Sequence, residues 1–323
     1  MLIAMVFKRM LAAFGVGGPG VDTVLDTLEA QPGGFIDGQI HIQGGDRDAR
    51  IERVTLALGT QLDNGPGVEL NRSTAAEHFT VRAGATESVP FRLSVPWETP
   101  ITSVYGQHLR GMVMGVHTEL EVAGGRDKGD LDPVAITPLP VHQAILDGFA
   151  ELGFRFKKAD VEHGFIQGVP QQLPCYQEIE FLAAPQYADR IGEVELTFLT
   201  NPRGVEVILE FDKRGGMFHS GGDAYSRFSI GHDQVAGTNW AGVVDGWVRE
   251  AAQRHSARYA AHGGHGPGGY GHGPYGHGRR GGGMGMGTVV AAGAAGVVGG
   301  LVAGEIIDEV FEDDGGDFGG DFE

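Results

Sequence analysis

Apolar residues recur at every second position through most of the first half of the chain. Residues 21–27 read as a strand, and Ile36, Ile40 and Ile42 share one face of the next. Val54, Leu56 and Leu58 mark a third. Phe79 and Val81, then Val89, Phe91, Leu93 and Val95, then Met112, Met114, Val116, Leu120 and Val122 complete about seven strands by their period-two spacing. Turn chemistry separates them: Gln31-Pro32-Gly33-Gly34, Gly44-Gly45, and a loop expected over 63–67. Such a run of strands with no helix between them predicts an antiparallel sandwich over residues 21–123. Two prolines flank Trp97 and stop a ladder there, so the indole is expected to plug one end of the sandwich.

Beyond residue 123 the period changes. Glycines 124, 125 and 129, prolines 133 and 138 and five charges predict a hinge over 124–138. Val141, Ile145, Phe149 and Leu152 then form one helical stripe that Gly153 ends. Strands resume over 154–163, 177–183, 193–199 and 205–212, the last with Val205, Val207, Leu209 and Phe211 on one face. Asn201-Pro202-Arg203-Gly204 should turn the final pair into a hairpin. A helix over 239–254, capped by Asn239 and buried along Trp240, Val243, Val244, Trp247 and Ala251, closes a second sandwich over 139–254. The fold class expected is thus mainly β: two antiparallel sandwiches, a few short helices and a glycine-rich tail.

Composition changes the picture at both ends. A formal net charge of -18 excludes non-specific nucleic-acid binding, which needs a basic surface to displace counterions. Cys175 is the single cysteine, so no internal disulfide forms and a reducing, cytoplasmic setting is expected. Beside Tyr176 it reads as a small buried hydrophobe. Residues 1–20 place Val6, Met10, Leu11 and Phe14 on one face of a short amphipathic segment, without the order of a secretory signal. Residues 255–287 read as a His/Gly-rich linker, in which His262, His265, His272 and His277 could meet around zinc, nickel or copper; a merely flexible spacer is the simpler reading. Over 288–310, Gly296, Gly300 and Gly304 repeat every four residues, a spacing that lets helix backbones approach closely. Self-association or contact with the inner face of the membrane is the interaction expected there. Nine carboxylates and no basic residue follow from Glu305 on, and residues 311–323 read as a solubilising tail.

No motif calls for covalent chemistry or a cofactor. The body histidines form neither HExxH nor HxH, and His117 with Glu119 reads as an alternating strand. His219-Ser220-Gly221-Gly222-Asp223 reads as a surface loop, because neighbours in sequence seldom reproduce a triad. Asp130 and Asp132 are too few ligands for calcium.

Six stretches taken in order carry a resemblance: Val-Asp-Thr-Val-Leu at 21–25, Pro-Trp-Glu-Thr-Pro-Ile-Thr at 96–102, Asp-Leu-Asp-Pro at 130–133, Leu-Gly-Phe at 152–154, Pro-Cys-Tyr-Gln-Glu-Ile-Glu-Phe at 174–181 and Leu-Glu-Phe-Asp-Lys-Arg at 209–214. Over roughly residues 5–254 the chain resembles the bacterial sporulation-control protein family. That resemblance implies an arrestin-like body and a non-enzymatic, regulatory role in developmental or cell-cycle control. Protein partners are then expected, bound through sheet edges, with no small-molecule substrate. The alternative is a structural protein driven to the membrane or to self-association by its tail.

Overall fold

The computed structural model describes residues 17–125, 127–212 and 225–262, the last nine as backbone alone. Most of the segment 1–20, His265, His272, His277, Gly296, Gly300, Gly304, the acidic tail and the 219–223 loop lie outside the described residues. Strands dominate, as the alternation predicts. In chain order they are β1 (Gly20–Leu25), β2 (Glu29–Ala30), β3 (Phe35–Gln43), β4 (Ala49–Leu62), β5 (Gly65–Val81), β6 (Thr86–Ser94), β7 (Ser103–Val104), β8 (Gln107–His108), β9 (Met114–Val122), β10 (Lys128–Pro133) and β11 (Ala135–Ile136). Helix α1 (Pro140–Glu151) follows, then β12 (Arg155–His163), β13 (Cys175–Leu182), β14 (Glu193–Asn201), β15 (Gly204–Asp212), β16 (Ser226–Gly231) and α2 (Trp240–His262).

The first half is a sandwich. Strands β1-β3-β6 form one antiparallel sheet and β10-β9-β4-β5 the other. Ile36, Ile40, Ile42 and Leu93 from the first meet Leu56, Leu58, Val116 and Leu120 from the second, all buried. Burial of these side chains, each contributing about 2 kcal/mol, holds the layers together. Side chains tie the two sheets together at both lateral edges. At one, the Thr23 amide donates to Asp130 Oδ2 at 2.6 Å and the Thr23 and Thr118 hydroxyls bond at 2.7 Å. At the other, Asn71 Nδ2 donates to the Ser94 carbonyl at 2.7 Å.

Two expectations need correction here. The loop foreseen over 63–67 is only a turn at Asp63 and Asn64, and β5 starts at Gly65. Its alternation is hidden because three register shifts against β4 move its side chains from one face to the other. The hinge foreseen over 124–138 contains β10, fully paired with β9, and β11, paired in parallel with β2. Glycine, proline and charge mark this segment as an edge strand, where they discourage unwanted pairing, as much as they would mark a linker.

The second half is built differently. β12-β13-β14-β15-β16 form one antiparallel sheet of five strands. Where a second sheet was expected among the described residues, α1 and α2 cover the apolar face. Phe149 of α1 stacks on Phe181 with ring centroids 5.0 Å apart, and Trp247 of α2 stacks on Phe228 at 4.9 Å. The two helices meet at Gly148, where an added Cβ would lie 2.9 Å from the Trp240 carbonyl oxygen. Gly153, at φ +88°, ends α1 as expected. Asn239 caps α2 by accepting the Gly242 amide at 3.0 Å. That helix runs on to His262, past residue 254 where it was expected to end.

A polar seam joins the halves. The Glu98 carboxylate, buried at the end of the sandwich, accepts the Gln172 and Leu173 amides at 2.8 and 2.7 Å. The Gln177 side chain pairs with both the amide and the carbonyl of Ile101, at 3.0 and 2.7 Å. Backbone bonds reach the free edge of β12: Ala159 donates to Arg110, and Asp63 donates to Val161. Gly111, at φ +93°, permits the first, since a Cβ there would sit 2.2 Å from the Ala159 oxygen. Trp97, expected to plug the sandwich, is half-buried over Gly33, and its ring lies 5.6 Å from that of His232.

Candidate functional site

Alternation gives the second sheet two unlike faces. Gln177, Ile179 and Phe181 point toward the helices and the seam, while Tyr176, Glu178 and Glu180 point away. Register then gathers carboxylates on that outer face. Asp160 of β12 lies opposite Glu178, and Glu162 opposite Tyr176. Glu195 of β14 lies opposite both Glu180 of β13 and Glu210 of β15. Three cations answer them. Lys157 bridges Glu180 and Glu193 at 2.8 and 2.6 Å, Lys158 bridges Asp160 and Glu180 at 2.6 and 3.1 Å, and Arg227 holds Glu206 at 2.8 Å. A β-bulge between Phe156 and Lys158 lets two consecutive lysines serve the same face.

A cavity of 190 Å³ opens beside this cluster, lined by Tyr176, Glu178, Glu195, Thr197, Glu210 and Tyr225 among others. The Tyr225 hydroxyl donates to the Gln167 carbonyl, fastening the loop after β12 over one side. Burial and the neighbouring Glu195 and Asp160 carboxylates push Glu178 up to about 8. Burial also raises Asp160, against the pull of Lys158. Asp160, Glu162 and Glu178 each place an oxygen within 4.8 Å of the other two. The apolar positions of these strands dominate their sequence pattern, and the acids lie between them. Their period-two spacing, Glu178 and Glu180, then Glu193 and Glu195, was the available signal.

The residues singled out from sequence fall elsewhere. Cys175 is fully buried, with its thiol pushed up to about 11 by burial and the nearby Glu98, so it packs as a hydrophobe. His262 ends α2 with its side chain outside the described residues. Asp130 and Asp132 project between the sheets near Asp22. Burial and the charges of Asp130 and Asp22 push Asp132 up to about 8. His117 does lie on an alternating strand, and its ring is buried against Gly129. His142 is buried as well; it stacks on Phe198, bonds Thr200 at 2.8 Å and is held neutral by burial, its pKa down to about 3. No helix among the described residues is long and apolar enough to cross a membrane.

The chain as a whole is similar to known proteins. The sporulation-control protein spo0M of Bacillus subtilis (strain 168) is 32% identical over 217 residues, covering 64% of this chain and 81% of the relative. The crystal structure of Spo0M, sporulation control protein, from Bacillus subtilis superposes with a TM-score of 0.65 at 26% identity, covering 73% of this chain and 100% of the other. The family model described as SpoOM protein matches residues 7–215. That match spans well over half of the sequence, so the chain belongs to the SpoOM protein family.

Proposed function

We propose that this protein is a non-enzymatic regulator of the sporulation-control type that acts by binding protein partners along a sheet edge. The 32% identical relative named for sporulation control supports the regulatory class. The observation that carries the binding mode is β5. It is seventeen residues long, the outermost strand of its sheet, and largely exposed from Arg72 to Thr80. An outermost strand offers backbone donors and acceptors to a partner strand, which main-chain pairing can extend. By contrast the edge of β12 is engaged by Arg110 and Asp63, and β10 is tied to β1 through Asp130 and Thr23, whereas the one staple on β5, from Asn71, lies before the exposed stretch. The body's conspicuous reactive types, Cys175 and His142, are held in packing roles.

Adjacent strand residues point their amides to opposite sides, so Ser73→Pro and Thr74→Pro form a matched pair. One removes an amide from the β4 ladder and lowers the melting temperature. The other removes an outward amide, and is expected to keep the melting temperature while abolishing capture of the partners that the wild-type full chain retains from its native cytoplasm. Undiminished capture by the variant that keeps its stability would refute the edge-strand mode.

A further inference from the structure

We propose that the cavity on the outer face of the second sheet binds an organic ammonium ion, of the kind carried by a lysine side chain or a free diamine. Its lining supplies the three things such a ligand needs. Glu178, Glu195 and Glu210 bring negative charge, Tyr176 and Tyr225 bring aromatic rings, and Ile166 and Ile208 bring apolar surface. Register builds the base: Glu195 lies opposite Glu210, and Thr197 opposite Ile208. The loop after β12 covers one side. The Tyr225 hydroxyl donates to the Gln167 carbonyl, and Arg227 Nη1 donates to the Gly168 carbonyl at 2.9 Å.

Carboxylates alone would make this only an acidic face, but two further observations point to an occupant. Thr197 is 5% exposed and lines the cavity, yet its hydroxyl makes no hydrogen bond among the described residues. A buried hydroxyl without a partner is costly until a ligand supplies one. Lys157, Lys158 and Arg227 are committed to Glu180, Glu193, Asp160 and Glu206, and none of them pairs with Glu178. Glu178 thus faces the cavity with no cationic partner among the described residues.

Size and donor geometry choose the ligand. At about 30 Å³ for each water-sized group, 190 Å³ holds about six of them. That is room for an ammonium and a stem of about five methylenes, whereas a bare metal ion would leave most of the space to water. The carboxylates stand on three different strands, β13, β14 and β15, and so approach from several sides. Three such acceptors match the three rotatable donors of an ammonium rather than the planar fork of a guanidinium. The tyrosine rings attract the cation, and the isoleucines cover the stem. This cavity lies in the other half of the molecule from β5, so it stands or falls apart from the edge-strand reading.

The test is isothermal titration of the full chain with n-pentylamine at physiological salt, repeated with 1-pentanol and n-pentylguanidine. Saturable binding of the amine is expected, with the alcohol about tenfold weaker for want of the charge-assisted hydrogen bonds. Glu178→Gln should weaken the amine about tenfold and the isosteric Thr197→Val about threefold, while Glu77→Gln in the first half leaves it unchanged. Circular dichroism checks that each variant is folded; if Glu178→Gln is not, Thr197→Val carries the test. No saturable heat overturns the proposal. So does heat that survives in both cavity variants, which would place the amine on the acidic tail. Guanidine binding as tight as amine overturns the choice of ligand. Two further titrations assign the source: tighter binding of Nα-acetyl-lysine methylamide supports a partner's lysine, and tighter binding of cadaverine supports a free diamine.

Discussion

The two halves solve the same problem, hiding one apolar sheet face, with different layers, and the difference decides where polar surface is left over. In the first half a second sheet covers the first, and the two edges are tied by Thr23–Asp130 and Asn71–Ser94. In the second half two helices cover one face of a single sheet, and the other face is left to Asp160, Glu162, Glu178, Glu195 and Glu210. A sandwich spends its strands on its own core. A sheet backed by helices keeps a whole face for something else.

The sharpest way to break that comparison is in the helical layer. Phe149→Ala removes a fully buried ring that stacks on Phe181 and meets Phe154 edge-on. A loss of about 4 kcal/mol is expected in urea unfolding, like other large core truncations. A loss under about 1 kcal/mol would mean that the helices merely lie on the sheet. Next is the seam. Glu98→Ala leaves the Gln172 and Leu173 amides without their buried acceptor, at an expected cost of about 3 kcal/mol. It should also split one unfolding transition into two, followed separately by backbone circular dichroism and tryptophan fluorescence; a single unshifted transition would show that the seam does not couple the halves.

A smaller effect depends on pH. Asp132 titrates at about 8 in the folded chain and at about 4 when unfolded, so between those values the folded state holds a proton that the unfolded state has released. Its contribution is fully present below about pH 4 and is lost as the pH rises through about 8. The wild-type melting temperature should therefore fall from pH 5 to pH 8 by more than that of Asp132→Asn. Parallel curves for the two proteins would remove the carboxyl from this role. Smallest of all, Arg72→Ala breaks exposed pairs with Glu69 and Glu119 and should cost less than about 1 kcal/mol in the same urea assay.

Legibility from sequence followed burial. Val205, Val207, Leu209 and Phe211 alternate without interruption because β15 is an interior strand, paired on both sides, and all four are buried in the structure. The α1 and α2 stripes, the Asn239 cap and the 201–204 turn were readable for the same local reasons. β5 was hidden by its bulges, and β10 by a composition shared between linkers and edge strands. Both helices were foreseen, but not that they would cover the second sheet in place of another sheet, because an apolar strand face looks the same whether a sheet or a helix will cover it. The acid cluster needed register: Asp160 and Glu178 are eighteen positions apart, and only the β12–β13 pairing sets them side by side.

The bonds from Arg110 and Asp63 to β12 also bear on the order in which the protein is made. During synthesis the first half leaves the ribosome before β12 does, and domains generally fold as they emerge. The strand that would otherwise present a bare edge to neighbouring nascent chains thus meets its cover already folded. Expressed alone, the second half would lack that cover and would be prone to edge-to-edge aggregation, and supplying the first half in trans should suppress it.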